Sequence, residues 1–484
     1  VTRGRRARSW AAALTGLALL GGCTTEVAGS AAPAGSPGAD GFGDPYFPLD
    51  GNGGYDVDSY ALDLRFDPGS DELSGTATIV ATATQSLSAF NLDLFGFEVS
   101  SVTVDGEDAG VGRDGGELTV TPAADLRQGA QFTTVVAYEG VPEPLDDGLG
   151  VAGFVQTDDG AVAAGQPDVA ASWFPVNDHP ADAASVDVSI TVPEGLEGIS
   201  NGELVDSTTD DGWTTWQWSA AEPMAPYLVT LAVGEFEIEE YEQDGIRYWD
   251  AIDPALAEYG ASGSATVFDL AQESLALAPD VVAVLEEWFG PYPFAVAGGI
   301  VDDVPEMQFA LENQTRPVYS PVFFTDADDG EIVVVHELAH QWAGDSVRLA
   351  GWQHIWLNEG FATYAEWLWA DAQGTSTPQE FFDDLAAVPA DRSFWRVAIG
   401  DPGPESDALF SEAVYLRGAM TVHALRTELG EDAFAELVLE WFGSEGGRAV
   451  TTDDFVALAE EISGADLDDF FAQWLGAGKP PSLE

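Results

Sequence analysis

Among the five histidines of this 484-residue chain, His336 and His340 stand four apart within EIVVVHELAHQWAGDSV, residues 331–347. On a helix that spacing puts both imidazoles on one face, a turn apart, where they can reach one ion. Glu337 then lies beside the ion without binding it. The neighbouring valines and Leu338 also give the segment an apolar stripe, and a core helix with two incidental histidines is the plainer reading of such a stripe. A third ligand decides between the two. Zinc used for hydrolysis takes three protein ligands and keeps one position for water. Glu359, nineteen positions after His340 at the expected start of the helix in HIWLNEGFATYAEWLWA, completes a His2Glu set for one Zn2+ per chain. Zinc held in this way brings the pKa of its water to about 7, and Glu337 can take that proton and later pass it to a leaving amine.

The elements that must position these residues fall into two kinds. From Tyr55 to about Val233, period-two alternation with turn residues between runs dominates; SYALDLRF, for example, puts Tyr60, Leu62, Leu64 and Phe66 on one face. Many short strands at that spacing predict an antiparallel, sandwich-like β domain, placed at residues 46–240. Beyond it, residues 241–484 read as a helix-rich α+β domain around a small sheet. Helix starts are expected at Asp329 and at Thr452, where capping residues precede apolar periodicity.

The motifs together resemble the zinc metalloaminopeptidases of the aminopeptidase N and leukotriene hydrolase group, from about Tyr55 to Trp474 and in the same order. His336-Glu337-Leu338-Ala339-His340 followed by Asn358-Glu359-Gly360 matches the metal motif. Phe309-Ala310-Leu311-Glu312-Asn313, with Glu312 lying 24 residues before His336, is similar to the family's Gly-Ala-Met-Glu-Asn segment. The resemblance implies a thermolysin-like catalytic domain with zinc on His336, His340 and Glu359. It makes Glu337 the general base and acid, and sets Glu312, Ala310 and Asn313 against a substrate with a free amine. An ammonium held by a carboxylate in a partly desolvated cleft forms charge-assisted hydrogen bonds, which suits that role. GQPDVAASWFPVNDHP resembles a sandwich-domain segment of the family and puts Gln166 beside the amine. EAVYLRGAM resembles its Tyr-Glu-Lys-Gly-Ala helix, so that Tyr415 would stabilise the oxyanion; Leu416 and Arg417 depart from the pattern. Glu366, two helical turns after Glu359, matches a position that steadies a zinc histidine. His179 and His423 are expected to be structural. Long members of the family carry a further helical domain over the cleft, and its absence from this sequence predicts a more open site.

Two other activities share part of this pattern. A thermolysin-type zinc endopeptidase would use the same His2Glu set, and a non-catalytic envelope-binding lipoprotein would use none of it. Glu312 and Tyr415 favour the aminopeptidase, whose partners are peptides with a free N-terminus.

Charge and the N-terminus set the setting. Acidic residues number 84 against 16 basic ones, and a net charge of −68 argues against binding nucleic acid or anionic lipid through charge. Residues 1–22 read as an export signal, with Arg3, Arg5, Arg6 and Arg8 ahead of an apolar run from Trp10 to Leu20. Leu20-Gly21-Gly22-Cys23 resembles a bacterial lipobox, which implies lipidation of Cys23. Residues 23–45, rich in Gly, Pro and Ser, are expected to form a flexible tether. The chain is therefore expected to be exported and lipid-anchored to the outer face of the bacterial cytoplasmic membrane, touching the membrane only through Cys23.

Overall fold

The computed structural model describes residues 34–146 and 150–480. The signal segment and Cys23 lie outside the described residues. No described helix is long and apolar enough to cross a membrane.

Alternation in the first half becomes strands because every second side chain can be buried. In Tyr55–Asp67 the buried positions include Tyr60, Leu62, Leu64 and Phe66, while the residues between them point outward. This strand sits inside an eight-stranded sheet, between Ala184–Pro193 and Glu72–Ala83. Its pairing with Ala184–Pro193 is parallel, which corrects the purely antiparallel expectation: the two strands are far apart in sequence, so no hairpin fixes their direction. Two smaller sheets pack on the large one. Phe66 meets Phe154 of a five-stranded sheet edge-on at 5.2 Å, and Phe132 meets Phe90 of a four-stranded sheet at 5.2 Å.

The second half starts with its own five-stranded sheet, ordered Glu237–Gln243, Ile246–Ile252, Val296–Val301, Val318–Tyr319 and Ala310–Leu311. Its first hairpin straddles position 240, so the expected boundary between 240 and 241 cuts a strand pair. Helices α1 (Val267–Leu275) and α2 (Ala278–Phe289) form the crossover between the parallel strands Ile246–Ile252 and Val296–Val301. There follow α3 (Ala327–Ala339), α4 (Trp356–Gln373), α5 (Pro378–Ala386), α6 (Ser406–Leu409), α7 (Glu412–Leu429), α8 (Glu431–Ser444), α9 (Thr452–Ser463) and α10 (Asp468–Leu475). Thr451 caps α9, one residue before the expected Thr452. From Ala34 onward the chain forms one unit.

Residues 36–45, expected within a flexible tether, are instead docked. Ser36 and Pro37 pair in parallel with the strand Leu87–Asp93, and Asp44 accepts a hydrogen bond from the Trp352 amide at 3.0 Å. Phe42 stacks on His179 with ring centroids 4.5 Å apart, and Tyr46 donates to Asp401 and accepts from the Gly403 amide. Composition suggested mobility because the contacts are made by a few isolated side chains and by backbone, which leave no periodic trace.

Candidate active site

α3 and α4 carry the candidate metal ligands. α3 begins at Ala327, earlier than the Asp329 start expected from sequence, because the Asp326 side chain accepts the Asp328 amide at 3.1 Å and caps it. Val333, Val334, Val335 and Leu338 bury the helix, and the histidines face the cleft. Val333, three residues before His336, belongs to both faces, since it also lines the cleft. His340 stands at the C-cap of α3 with helical φ and ψ, so the one-turn relation to His336 is kept. Glu359 lies in the first turn of α4, in a run from Trp356 to Ala365 that is buried on every side.

Glu359 Oε2 is 3.2 Å from His336 Nε2 and 3.3 Å from His340 Nε2. The remaining ring nitrogens are engaged away from this point: His336 Nδ1 with Glu366 Oε1 at 2.7 Å, and His340 Nδ1 with the Ala343 carbonyl at 2.8 Å. A proton on each Nδ1 satisfies those acceptors and turns both Nε2 lone pairs toward Glu359. Tetrahedral zinc bonded at 2.0–2.2 Å separates its ligand atoms by roughly 3.3–3.6 Å, so the spacing and the donor set both fit zinc. The electrostatics favour a cation too. Burial lowers the pKa of His340, but Glu312 and Glu359 outweigh it and hold the imidazole up at about 9. Glu359, raised by burial, is brought down to about 2 by His340 and His336.

Glu337 is 5 % exposed, and burial pushes it up to about 8 against the lowering effect of the two histidines. A carboxyl with that value changes protonation near neutral pH, as a proton carrier must. Glu312, 2 % exposed, lies within 4.8 Å of both Glu337 and His340 by their ligand atoms. It follows the edge strand Ala310–Leu311, which pairs with Val318–Tyr319. Tyr227 donates to Glu312 Oε1 at 3.0 Å, and Gln341 Nε2 donates to the Glu312 carbonyl at 3.1 Å while its Oε1 accepts the Thr315 amide at 2.7 Å. Asp345 is fully buried behind this group, with neither carboxylate oxygen partnered among the described residues; burial, then Glu312 and Glu337, raise it well above the usual range.

Tyr415, on α7, lies over His336 with ring centroids 5.7 Å apart and planes 22° from parallel, and burial, then the charges of Glu359, Glu337 and Glu312, raise its hydroxyl well above the usual range. Gln166 and Ala310 line the same cleft, and Gln166 Oε1 is buried without a partner among the described residues. Asn313 does not join them. It is fully buried and donates to the Leu228 carbonyl at 3.1 Å, which shapes the loop after Glu312. Arg417 is equally remote from the cleft, donating to the carbonyls of Val397, Trp474 and Gly476. His423, as expected, packs within the helices, between Tyr364 and Gln379.

The cleft has a volume of about 560 Å³. Phe309, Phe323, Val333 and Phe410 supply its apolar walls, and Glu312, Glu337, Glu359, Glu366 and Asp329 its charge. Sequence reasoning missed Tyr227 and Gln341. Tyr227 comes from the sandwich half, 85 residues before its partner, and no spacing links the two. Gln341 follows a ligand directly, and its side chain is inward only because the helix ends there.

The geometry has counterparts among known proteins. The family model described as Peptidase family M1 domain matches residues 322–474, and the Peptidase M1 N-terminal domain matches residues 56–228. The crystal structure of an M1 zinc metallopeptidase from Deinococcus radiodurans is 30% identical, with a TM-score of 0.80, covering 92% of this chain and 98% of that one. A mutant of it bound to a Tyr-Ser-Ala substrate matches with the same identity and TM-score, over 92% and 99% of the two chains. Aminopeptidase M1 of Arabidopsis thaliana is 26% identical over 332 residues, 65% of this chain and 36% of its own length. Glutamyl aminopeptidase of Homo sapiens is 26% identical over 330 residues, 64% of this chain and 33% of its own. The matched region thus spans about a third of these curated relatives.

Proposed function

Since the chain belongs to the M1 family of zinc metallopeptidases, we propose that it removes N-terminal residues from peptides as a zinc-dependent aminopeptidase. The observation that carries this reading is the buried Glu312 carboxylate in the wall of the cleft, beside His340 and Glu337.

Each residue then has a task. His336, His340 and Glu359 hold the zinc, which when bound supplies a Lewis acid for the scissile carbonyl and acidifies water. Glu312, steadied by Tyr227, accepts hydrogen bonds from the substrate ammonium, and the unpartnered Gln166 Oε1 offers a second, neutral acceptor. Glu337 takes a proton from the attacking water and delivers it to the leaving amine. The Tyr415 hydroxyl, in the cleft wall over His336, donates to the developing oxyanion, a donation of a kind typically worth about 3 kcal/mol. A substrate whose amine is capped loses its contact with Glu312 and leaves a buried carboxylate without its partner.

The test compares free and N-acetylated aminoacyl amides on zinc-loaded protein of measured metal content. The acetylated series should be cut at least a hundredfold more slowly, and Glu337→Gln should keep its zinc while losing at least a hundredfold in kcat. Equal hydrolysis of both series would refute the exopeptidase reading and point to an endopeptidase. For location, the sequence from Arg3 to Cys23 supports an exported lipoprotein held at the cell envelope. Cys23→Ser should move the protein from the membrane fraction to the soluble one; unchanged partition would remove the anchor.

A further inference from the structure

The catalytic cleft does not end at the metal ligands. A second groove of about 330 Å³ begins where it stops, and the two share Ile332 and Glu366 as lining residues. Trp367, Trp369 and Phe381 wall the groove. Trp367 and Phe381 are stacked at 5.5 Å, and Trp369 is fixed by its Nε1 donating to Glu331 at 2.6 Å. Ile332 at the junction is 47 % exposed, so its side chain is open to whatever occupies the two cavities.

Direction follows from the ligands. Glu312 gathers with His340 and Glu337, whereas Glu366 is bonded to His336. An amine held at Glu312 therefore lies toward the His340 side, the scissile carbonyl lies at the His2Glu set, and the chain beyond it leaves past His336 and Glu366. That path opens into the aromatic groove. Neither cavity is lined by a Lys or Arg among the described residues, while Glu366, Asp328 and Glu331 all border the second one. A carboxylate on the departing part of the substrate would meet only like charge there.

We propose that this groove receives the third and following residues of the substrate. It would favour extended peptides with an aromatic, aliphatic or basic residue there over dipeptides and over peptides with an acidic one. The inference rests on the aminopeptidase reading, since Glu312 as the amine anchor sets the direction.

With X the best-cleaved N-terminal residue, kcat/KM would be measured on zinc-loaded full-length protein for X-Ala, X-Ala amide, X-Ala-Phe-Ala and X-Ala-Glu-Ala, each also N-acetylated. We expect at least a tenfold gain from X-Ala amide to X-Ala-Phe-Ala, and at least tenfold for Phe over Glu. Phe381→Ala should shrink the Phe-to-Glu ratio at least fivefold. Ile332→Lys, a surface change that leaves packing alone, should raise X-Ala-Glu-Ala relative to X-Ala-Phe-Ala. Free-amine substrates cut at rates within twofold of each other, with acetylated ones resistant, would overturn the groove and leave the aminopeptidase reading standing. An Ile332→Lys protein with an unaltered Phe-to-Glu ratio would overturn it as well. Equal cleavage of acetylated peptides would overturn both.

Discussion

Glu366 touches one of the two candidate ligand imidazoles and would act on a bound metal through it. Its Oε1 lies 2.7 Å from His336 Nδ1, and it is 24 % exposed, whereas His340 is oriented by a backbone carbonyl in a closed turn. The two histidines therefore differ in how firmly their tautomers are set. Removing the carboxylate frees the His336 ring to rotate and to carry its proton on either nitrogen, and losses of such partners typically cost 10–100-fold in metal affinity. Glu366→Ala should weaken zinc binding by about that factor in a competition with a chromogenic chelator. Glu366→Gln, whose amide oxygen still accepts, should recover most of it. Unchanged affinity in the Ala variant would mean that His336 is held by packing alone. Residues of this sort were legible because helical spacing ties Glu366 to Glu359 and His340 to His336. Tyr227 was not, since contact between distant segments leaves no local pattern.

The helices show why the ligand and the tyrosine meet. Gly360 on α4 and Gly418 on α7 face one another so closely that a Cβ on Gly418 would fall 2.6 Å from the Gly360 Cα, and one on Gly360 would fall 2.8 Å from the Gly418 Cα. The obstacle is backbone on both sides, so no side chain can swing away. Glu359 and Tyr415 sit within a turn of this contact, and the missing Cβ atoms let the two side chains come from different helices into one cleft. Gly418→Ala should push α7 off α4. Overpacking of this kind costs about 1–3 kcal/mol, and kcat should fall together with the thermal midpoint. A variant with normal kcat and an unshifted midpoint would show that the helices have room to spare. Both helices, and the strands of the sandwich, were readable from apolar period. Their closeness was not, because a glycine in a helix reads first as a cost to it. The docking of residues 36–45 escaped for a similar reason: its few anchors are scattered among small residues.

For the molecule as a whole, the net charge of −68 means that negative groups meet inside the fold as well as on its surface. Asp50 is the clearest case. Burial, then Asp168, Asp178, Asp93 and Asp44, push its carboxyl up to about 9; burial likewise carries Asp93 and Asp182 to about 7. In the unfolded chain an aspartate titrates near 3.9. Between that value and the folded one the native state binds more protons, so stability is fully present below about pH 4 and is lost progressively as pH rises through 7 and on to 9. Surface repulsion gives the same trend, and salt separates the two: at 1 M the Debye length is about 3 Å, which screens exposed charges far more than buried ones. Asp50→Asn mimics the protonated form at every pH. Urea unfolding should find it about as stable as the parent below about pH 4, with an advantage that grows as pH rises and is clear at pH 9. That gap should survive in 1 M NaCl, while the pH dependence common to both proteins shrinks. A gap that is constant across pH would place the effect in packing, and one that vanishes in salt would place Asp50 among the screened surface charges.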